Sequence, residues 1–450
     1  MLYRKIEAYL KEYLKSDNNK VLLVEGARQI GKSYIIRKVG KELFENYIEL
    51  NMVTDKENNK IFENIHSTES FYLAVSSQEG EKLGTKENTL IFIDEIQEYP
   101  TLLTLLKFLK AEDKYTYIAS GSLLGLALAE TTSIPLGSIA RKKMYQLDFE
   151  EFLIANGFGF DAISAIEKKA EVGIELEEGL HNRMMELFRT FLITGGMPDV
   201  VNEYLASKNV VKIRQLQAEI IRYYRTDASK RDEERRLKIR RLYDMLPSFM
   251  QNTKKRIVVK DIENLKGKRY SNYLDEFDYL INSGIANDVQ AISNPIFPLC
   301  QSEDKNLLKL YMNDVGLLSA ILFNTNIKPI LDDIKTINLG ALYETVVASE
   351  LRAIGFERLF YYDNRNNGEV DFLLDDYESL SVLPLEVKSG RDFQIHSALN
   401  KLVTKENYNI KKGIVLSNKK RIIKKDNIIH LPIYYVMFLK KKTTEPIILL

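Results

Sequence analysis

Three short, uninterrupted apolar runs stand out in the first 120 residues: Val21-Leu22-Leu23-Val24-Glu25, Leu90-Ile91-Phe92-Ile93 and Tyr115-Thr116-Tyr117-Ile118-Ala119. Runs this short with no polar alternation predict strands buried on both faces, as in a parallel sheet. From Asp161 to Asn209 the apolar positions recur with a helical period, broken once at Gly195-Gly196-Met197-Pro198. Ile257 through Ile292 reads helix, helix, strand, with Ser271-Asn272-Tyr273-Leu274 opening a helix that ends near Gly284. Later, Leu339 to Leu351 reads as a helix, and Leu359 to Asp363 with Glu369 to Leu374 as a hairpin around Asn366-Asn367-Gly368. Leu383 to Lys388 is the next strand. The turn chemistry of Asn-Gly supports the hairpin.

Composition bounds this picture. A chain of 450 residues exceeds the ~100–200 residues of one ordinary domain, so several cores are expected. Hydrophobic residues make up 45% and charged residues 28%, which is globular usage, and no run approaches the ~18 apolar residues of a membrane span. The opening Met-Leu-Tyr-Arg-Lys-Ile-Glu lacks the pattern of a signal peptide. The expectation is a soluble, cytoplasmic protein with no membrane partner. One cysteine, Cys300, excludes an internal disulfide framework and a cysteine-rich zinc site, and four histidines add little metal capacity. Cys300 reads as a plain packed or surface thiol. A net charge of +1 averages over segments of unequal sign, so local charge matters more.

The first apolar run leads into Gly26-Ala27-Arg28-Gln29-Ile30-Gly31-Lys32-Ser33, which fits the Walker A pattern G-x-x-x-x-G-K-[ST] at every position. Glycines allow the tight turn whose N–H groups cradle phosphate oxygens, and the helix from Lys32 points its positive end at them. Lys32 is expected to reach the β and γ phosphates of ATP while Ser33 holds Mg2+. A chance glycine turn is the alternative, and the strand before and helix after argue against it. The second run ends in Asp94-Glu95, a Walker B pair at the carboxyl edge of a sheet. Asp94 is expected in the magnesium shell and Glu95 as the group that orients and polarises the attacking water. The third run leads to Ser120-Gly121-Ser122, where Ser120, or less directly Ser122, would lie between the Walker segments and touch the γ-phosphate or water.

These segments, Gly26 to Ser33, Leu90 to Gln97 and Tyr117 to Gly125, followed by Leu147-Asp148-Phe149-Glu150-Glu151-Phe152, resemble the prokaryotic AAA-like ATPases that carry a C-terminal domain of unknown function. The resemblance covers nearly the whole chain. It implies a multidomain α/β architecture: a P-loop ATPase core over 1–155, a helical lid over 156–222, a winged-helix-like basic segment over 223–328, and a restriction-endonuclease-like domain over 329–450. It also carries an adenine contact to Pro198, where a glycine pair ending one helix and a proline starting the next is the local alternative. An arginine finger from a neighbouring subunit would complete such a site, and Arg141, after Pro135-Leu136-Gly137-Ser138-Ile139-Ala140, lies about where one is expected.

Two regions suggest DNA. Between Arg225 and Arg269 fifteen Lys or Arg face seven Asp or Glu, with Tyr223, Tyr224, Tyr243 and Tyr270 interleaved. A basic winged helix fits that pattern, and so does a solvated helix face laced with ion pairs, as Asp232-Glu233-Glu234-Arg235-Arg236 suggests. Near the C-terminus Glu386 and Lys388 share one face of a strand, fifteen residues after Asp371. This resembles the D…ExK site of restriction-type nucleases, in which Asp371 and Glu386 would hold Mg2+, Lys388 would position water and Glu344 would complete the shell. An ordinary ion pair between Glu386 and Lys388 is the alternative. The stretch Lys405 to Lys425, rich in Lys and Arg with Glu406 alone opposing, suits a phosphate backbone. The expected function is an ATP-binding and ATP-hydrolysing switch acting on DNA. The alternatives are a signalling switch that docks a protein partner, with a silent nuclease-like domain, and an ATP-controlled nuclease. Oligomeric state is left open.

Overall fold

The computed structural model describes residues 1–16, 18–122, 137–227, 233–252, 255–263, 269–334, 337–390 and 396–439. The tail of the Tyr117–Gly125 segment, Pro135-Leu136, Asp232 and parts of the Arg225–Arg269 stretch (228–232, 253–254, 264–268) lie outside the described residues. The chain divides into two compact units, one of residues 1–146 with 282–284, the other of 147–281 with 285–450.

The first unit is built on a five-stranded, all-parallel sheet of order β2-β3-β4-β1-β5. Its strands are β1 (Val21–Glu25), β2 (Asn46–Asn51), β3 (Thr89–Asp94), β4 (Thr116–Gly121) and β5 (Ile139–Lys143). β1 and β3 are buried at every position, the signature of a strand covered on both faces. β2, at the edge, alternates buried and half-buried residues instead. The helix Pro100–Glu112 starts with proline at its first turn and buries Leu102, Leu103, Leu105, Leu106 and Leu109 among Leu23, Ile91 and Ile93 of the sheet. Between the P-loop strand β1 and the Walker B strand β3 runs β4, so the ends of all three strands are brought side by side.

The second unit begins with a helix, Phe149–Ala155, whose start explains the Leu147–Phe152 segment. The Asp148 side chain accepts from the Glu151 N–H at 2.8 Å and Glu151 accepts from the Asp148 N–H at 3.3 Å, a reciprocal capping box. Helices follow over Phe160–Val172, Glu178–Thr194, Pro198–Ser207, Val210–Asp227 and Glu233–Gln251. The break at Gly195-Gly196 is fixed by sterics: a Cβ on Gly196 would lie 2.0 Å from the Leu147 carbonyl oxygen. Buried Asp314 accepts from the Gly196 N–H at 2.7 Å and from the Leu317 N–H at 3.0 Å.

An eight-stranded mixed sheet, β12-β13-β11-β10-β9-β8-β6-β7, completes the second unit. Its strands are β6 (Ala286–Ile292), β7 (Glu303–Met312), β8 (Phe360–Asn364), β9 (Gly368–Asp376), β10 (Ser381–Lys388), β11 (Gly413–Ser417), β12 (Ile423–Lys425) and β13 (Ile428–Pro432). Helix Val259–Glu263, helix Leu274–Asn282 and strand β6 supply the helix, helix, strand order of Ile257–Ile292. β6 and β7 pair with each other and, through β6 and β8, join the sheet of the C-terminal region. The segments 223–328 and 329–450 therefore share one continuous sheet. The helix Gly340–Ala353 is buried along almost its whole length.

Candidate functional site

Three strand ends and one helix start make the first site. Gly26, with φ of +154°, follows β1, and a Cβ there would lie 2.2 Å from the Met144 carbonyl oxygen, so only glycine passes. Gly31 is the left-handed N-cap of the helix Lys32–Leu43, with no side-chain cap and no acidic residue in the first turn. The first N–H groups of that helix thus lack a side-chain acceptor, as an anion site requires. Ile30 is fully buried and anchors the loop. The buried guanidinium of Arg4 staples it further, donating to the Ile30 carbonyl at 2.9 Å and the Tyr145 carbonyl at 2.6 Å.

The Lys32 ammonium donates to the Gly26 and Ala27 carbonyls, at 2.9 and 2.8 Å. Burial lowers its pKa to about 8, against the pull of Glu95 and Asp94 upward. It is a buried cation held by neutral dipoles, which a phosphate would serve better. Ser33 Oγ donates to Asp94 Oδ2 at 2.8 Å, joining the two Walker segments directly. Ser120 donates to Asp94 Oδ1, and Asn51, its partner in register on β2, donates to Oδ2 at 3.3 Å. Burial raises the pKa of Asp94, partly offset by Ser120 and Ser33. Glu95 is left-handed (φ 52°), and its carboxylate accepts from Gln97 and, at 3.4 Å, from Ser122. Arg28 in turn donates to Ser122 Oγ at 3.1 Å. Gln29 holds a left-handed backbone inside the loop (φ 64°).

The donor set fits Mg2+ with ATP: one hydroxyl and one carboxylate in contact, a second carboxylate beside them, an uncapped helix start and a buried ammonium. Arg4, Asn51 and Gln97 were not expected from the sequence. Arg4 and Asn51 act across long stretches of chain, and only the place of Asn51 at the end of a strand would have hinted at it. Arg141 stands on β5 beside the P-loop strand. Its guanidinium is held by Glu25 of the neighbouring strand, with Nη2 to Oε2 at 2.8 Å and a second contact through Nε.

Pro198 opens the helix Pro198–Ser207 at its first turn, where a missing N–H costs nothing. Cys300 is an exposed free thiol. Much of the charge between Arg225 and Arg269 is paired: Arg225 and Arg240 with Asp244, Arg235 with Asp275, Lys255 with Glu344 and Arg256 with Asp363. By contrast Lys405, Lys411, Lys412, Arg421, Lys424 and Lys425 are exposed.

The C-terminal carboxylates form a second cluster, in which Glu344 and Glu386 are buried and Asp371 and Glu369 half-buried. Lys388 Nζ donates to Glu386 Oε1 at 2.6 Å, so these two form an ion pair on one strand. Asp371 Oδ2 accepts from the Val387 N–H at 2.8 Å. Glu344 is engaged by Lys255 through Oε1 and by the Tyr311 hydroxyl, 2.9 Å from Oε2. Fully buried Lys309 pairs with Glu369. Burial, then Glu344 and Glu386, raises the pKa of Asp371 well above the usual carboxylate range. Among the described residues no group of three or more His, Cys, Asp or Glu is placed to hold a metal ion. Each of the two Glu344 oxygens thus already has a partner, Lys255 on one and Tyr311 on the other. Lys255, Lys309 and Tyr311 were missed, each lying on a segment remote in sequence from the D…ExK residues.

Residues 18–153 match the family model of an AAA domain. Residues 185–328 and 339–436 match models of two domains of unknown function, DUF8612 and DUF4143. No curated protein matches the chain. Among solved structures it is similar to a Walker-type ATPase of Pyrococcus abyssi, at 15% identity and a TM-score of 0.42, over 72% of this chain and 96% of that one. The RuvB Holliday junction branch migration motor of Thermotoga maritima aligns at 14% identity and TM-score 0.29, over 63% and 89%. AMPPCP-bound DnaA from Aquifex aeolicus aligns at 14% and 0.26, over 63% and 84%. With its parallel sheet, its joined Walker segments and the AAA match, the first unit is an AAA-like P-loop ATPase domain. No described helix is long and apolar enough to cross a membrane.

Proposed function

We propose that the chain is an ATP-hydrolysing switch that acts on DNA. The observation that carries the nucleotide half is the Ser33–Asp94 hydrogen bond of 2.8 Å, which sets a Walker A hydroxyl against a Walker B carboxylate beside a buried lysine. Ser33 and Asp94 would hold Mg2+, which would neutralise charge on the β and γ phosphate oxygens. Lys32 exchanges the loop carbonyls for phosphate oxygens. Glu95, held by Gln97 and Ser122, orients the water that attacks the γ-phosphorus, and Ser120 fixes Asp94 between them. The adenine contact of Pro198 belongs to the same proposal.

The DNA half rests on the exposed Lys405, Lys411, Lys412, Arg421, Lys424 and Lys425, for which no ion pair is seen among the described residues, whereas Lys420 of the same stretch pairs with Glu178. The order helix, three strands, helix, strand from Gly340 to Ser417 supports the nuclease-like reading of the fold without its activity. Nucleotide binding and turnover in two variants test the site. Lys32→Ala should lose ATP binding. Glu95→Gln should keep binding and lose turnover by about 10²–10⁴-fold, because only the water-orienting carboxylate is removed. Parent-like turnover in Glu95→Gln would reject Glu95 as that group.

A further inference from the structure

We propose that Lys255 is the resident counter-ion of the C-terminal carboxylate cluster, and that the cluster takes up a divalent cation only when this ammonium is absent. Glu344, Glu369, Asp371 and Glu386 come together with Lys255, Lys309 and Lys388. Three of the carboxylates have a lysine each: Glu344 has Lys255, Glu369 has Lys309 and Glu386 has Lys388. Asp371 has none, and its Oδ2 rests on a backbone N–H. The three ammonium groups thus each occupy an oxygen on one of three carboxylates, and those oxygens are closed to a metal.

The way Lys255 is presented shows a built feature. Its neighbours are fastened to two strands of the sheet. The Ile257 N–H donates to the Leu308 carbonyl of β7 at 2.8 Å, and Arg256 pairs with Asp363 of β8 at 3.3 Å. Lys255 thus crosses 89 residues of sequence to reach Glu344, and its side chain is largely buried there. A hard cation such as Mg2+ needs free carboxylate oxygens in near-octahedral array. Both Glu344 oxygens, one Asp371 oxygen and Glu386 Oε1 are occupied. Two atoms are left over, Asp371 Oδ1 and Glu386 Oε2, and Glu386 Oε2 is buried with no hydrogen-bond partner. That oxygen, with the Glu344 oxygen released by loss of Lys255 and the free oxygen of Asp371, would be the donor set of the unmasked site.

Mn2+ titration of the nucleotide-free full chain, followed by the electron paramagnetic resonance of the unbound ion, tests this. All proteins carry Asp94→Asn, so that the ATPase site lacks its Walker B aspartate and the remaining Glu95 is common to every arm. Lys255→Met should gain a Mn2+ site, tighter than anything in the parent by about tenfold or more, and adding Asp371→Asn should remove the gain. A folded Lys255→Met protein with no Asp371-dependent gain overturns the proposal. The parent gives a second arm that does not depend on how Lys255→Met folds: Asp371→Asn in the presence of Lys255 should leave the titration unchanged. Loss of a Mn2+ site in that variant would show that the metal binds with Lys255 in place, and the proposal fails.

Discussion

Lys32 and Lys255 are both buried ammonium groups at the centre of a candidate site, and they are solvated in opposite ways. Lys32 lies on two backbone carbonyls with Asp94 and Glu95 near, and burial wins: its pKa falls to about 8. Lys255 is buried too, but Glu344 and Asp371 outweigh that burial and its pKa is raised. The first lysine lacks a full counter-charge and is poised to accept one from a phosphate. The second already has it. A buried cation paired only with dipoles is a vacancy for an anion, whereas one paired with a carboxylate closes its site.

The largest effect separating the two sites is on catalysis. Asp94→Asn should lower the rate of ATP turnover by on the order of 10² or more, since it removes charge where Mg2+ and phosphate meet. Asp371→Asn should leave steady-state turnover within about twofold. If both variants lose hydrolysis, the two sites are not the independent chemistries contrasted here.

A smaller effect is on pH. Phosphate favours protonated Lys32, so ATP affinity should be flat below pH 8 and fall by up to about tenfold per pH unit above it. Lys255 follows the same sign in a higher pH window. Its folded pKa is raised, so its contribution to stability is full below the unfolded value of 10.5 and is lost only as pH rises through the folded pKa. Calorimetric titration of ATP between pH 7 and 9.5 should therefore show the loss of affinity while the melting of the second unit stays unmoved by Lys255. An affinity that is level to pH 9.5 would remove the poised-lysine account of Lys32.

The smallest effect is on salt dependence. Each phosphate contact contributes about −0.9 to the log–log salt slope of duplex binding. Charge reversal at Lys411, Lys412, Lys424 and Lys425 should flatten the slope. Reversal at Arg225 and Arg240, which already face Asp244, should change it less. The reverse ranking would return the DNA surface to the Arg225–Arg269 stretch.

What was legible in the sequence was what is local. Gly26–Ser33 and Asp94-Glu95 each carry their chemistry within a few consecutive residues, and the apolar runs before them name the strands. The Asn366-Asn367-Gly368 turn is equally local. Pairings that span the chain have no such mark. Glu25 with Arg141 is separated by 116 positions and Lys255 with Glu344 by 89. Lys255 and Arg256 looked like free positive charge because their carboxylates arrive from segments that sequence spacing cannot bring near. The Leu147–Phe152 motif was read as a family mark, and its local cause, a capping box, lay in the Asp148-x-x-Glu151 spacing itself.

The pairing of β6 with β8 has a consequence for how this molecule can be taken apart. Gln290, Ala291 and Ile292 stand beside Phe360, Tyr361 and Tyr362, so the hairpin of one matched region is the neighbouring rung of the other. A fragment beginning at residue 329 would bare the ladder of β8, and with it fully buried Tyr361 and Tyr362. Such an edge recruits strands from other copies. The smallest piece able to melt as one cooperative body therefore starts well before residue 329, and the two regions of unknown function stand or unfold together.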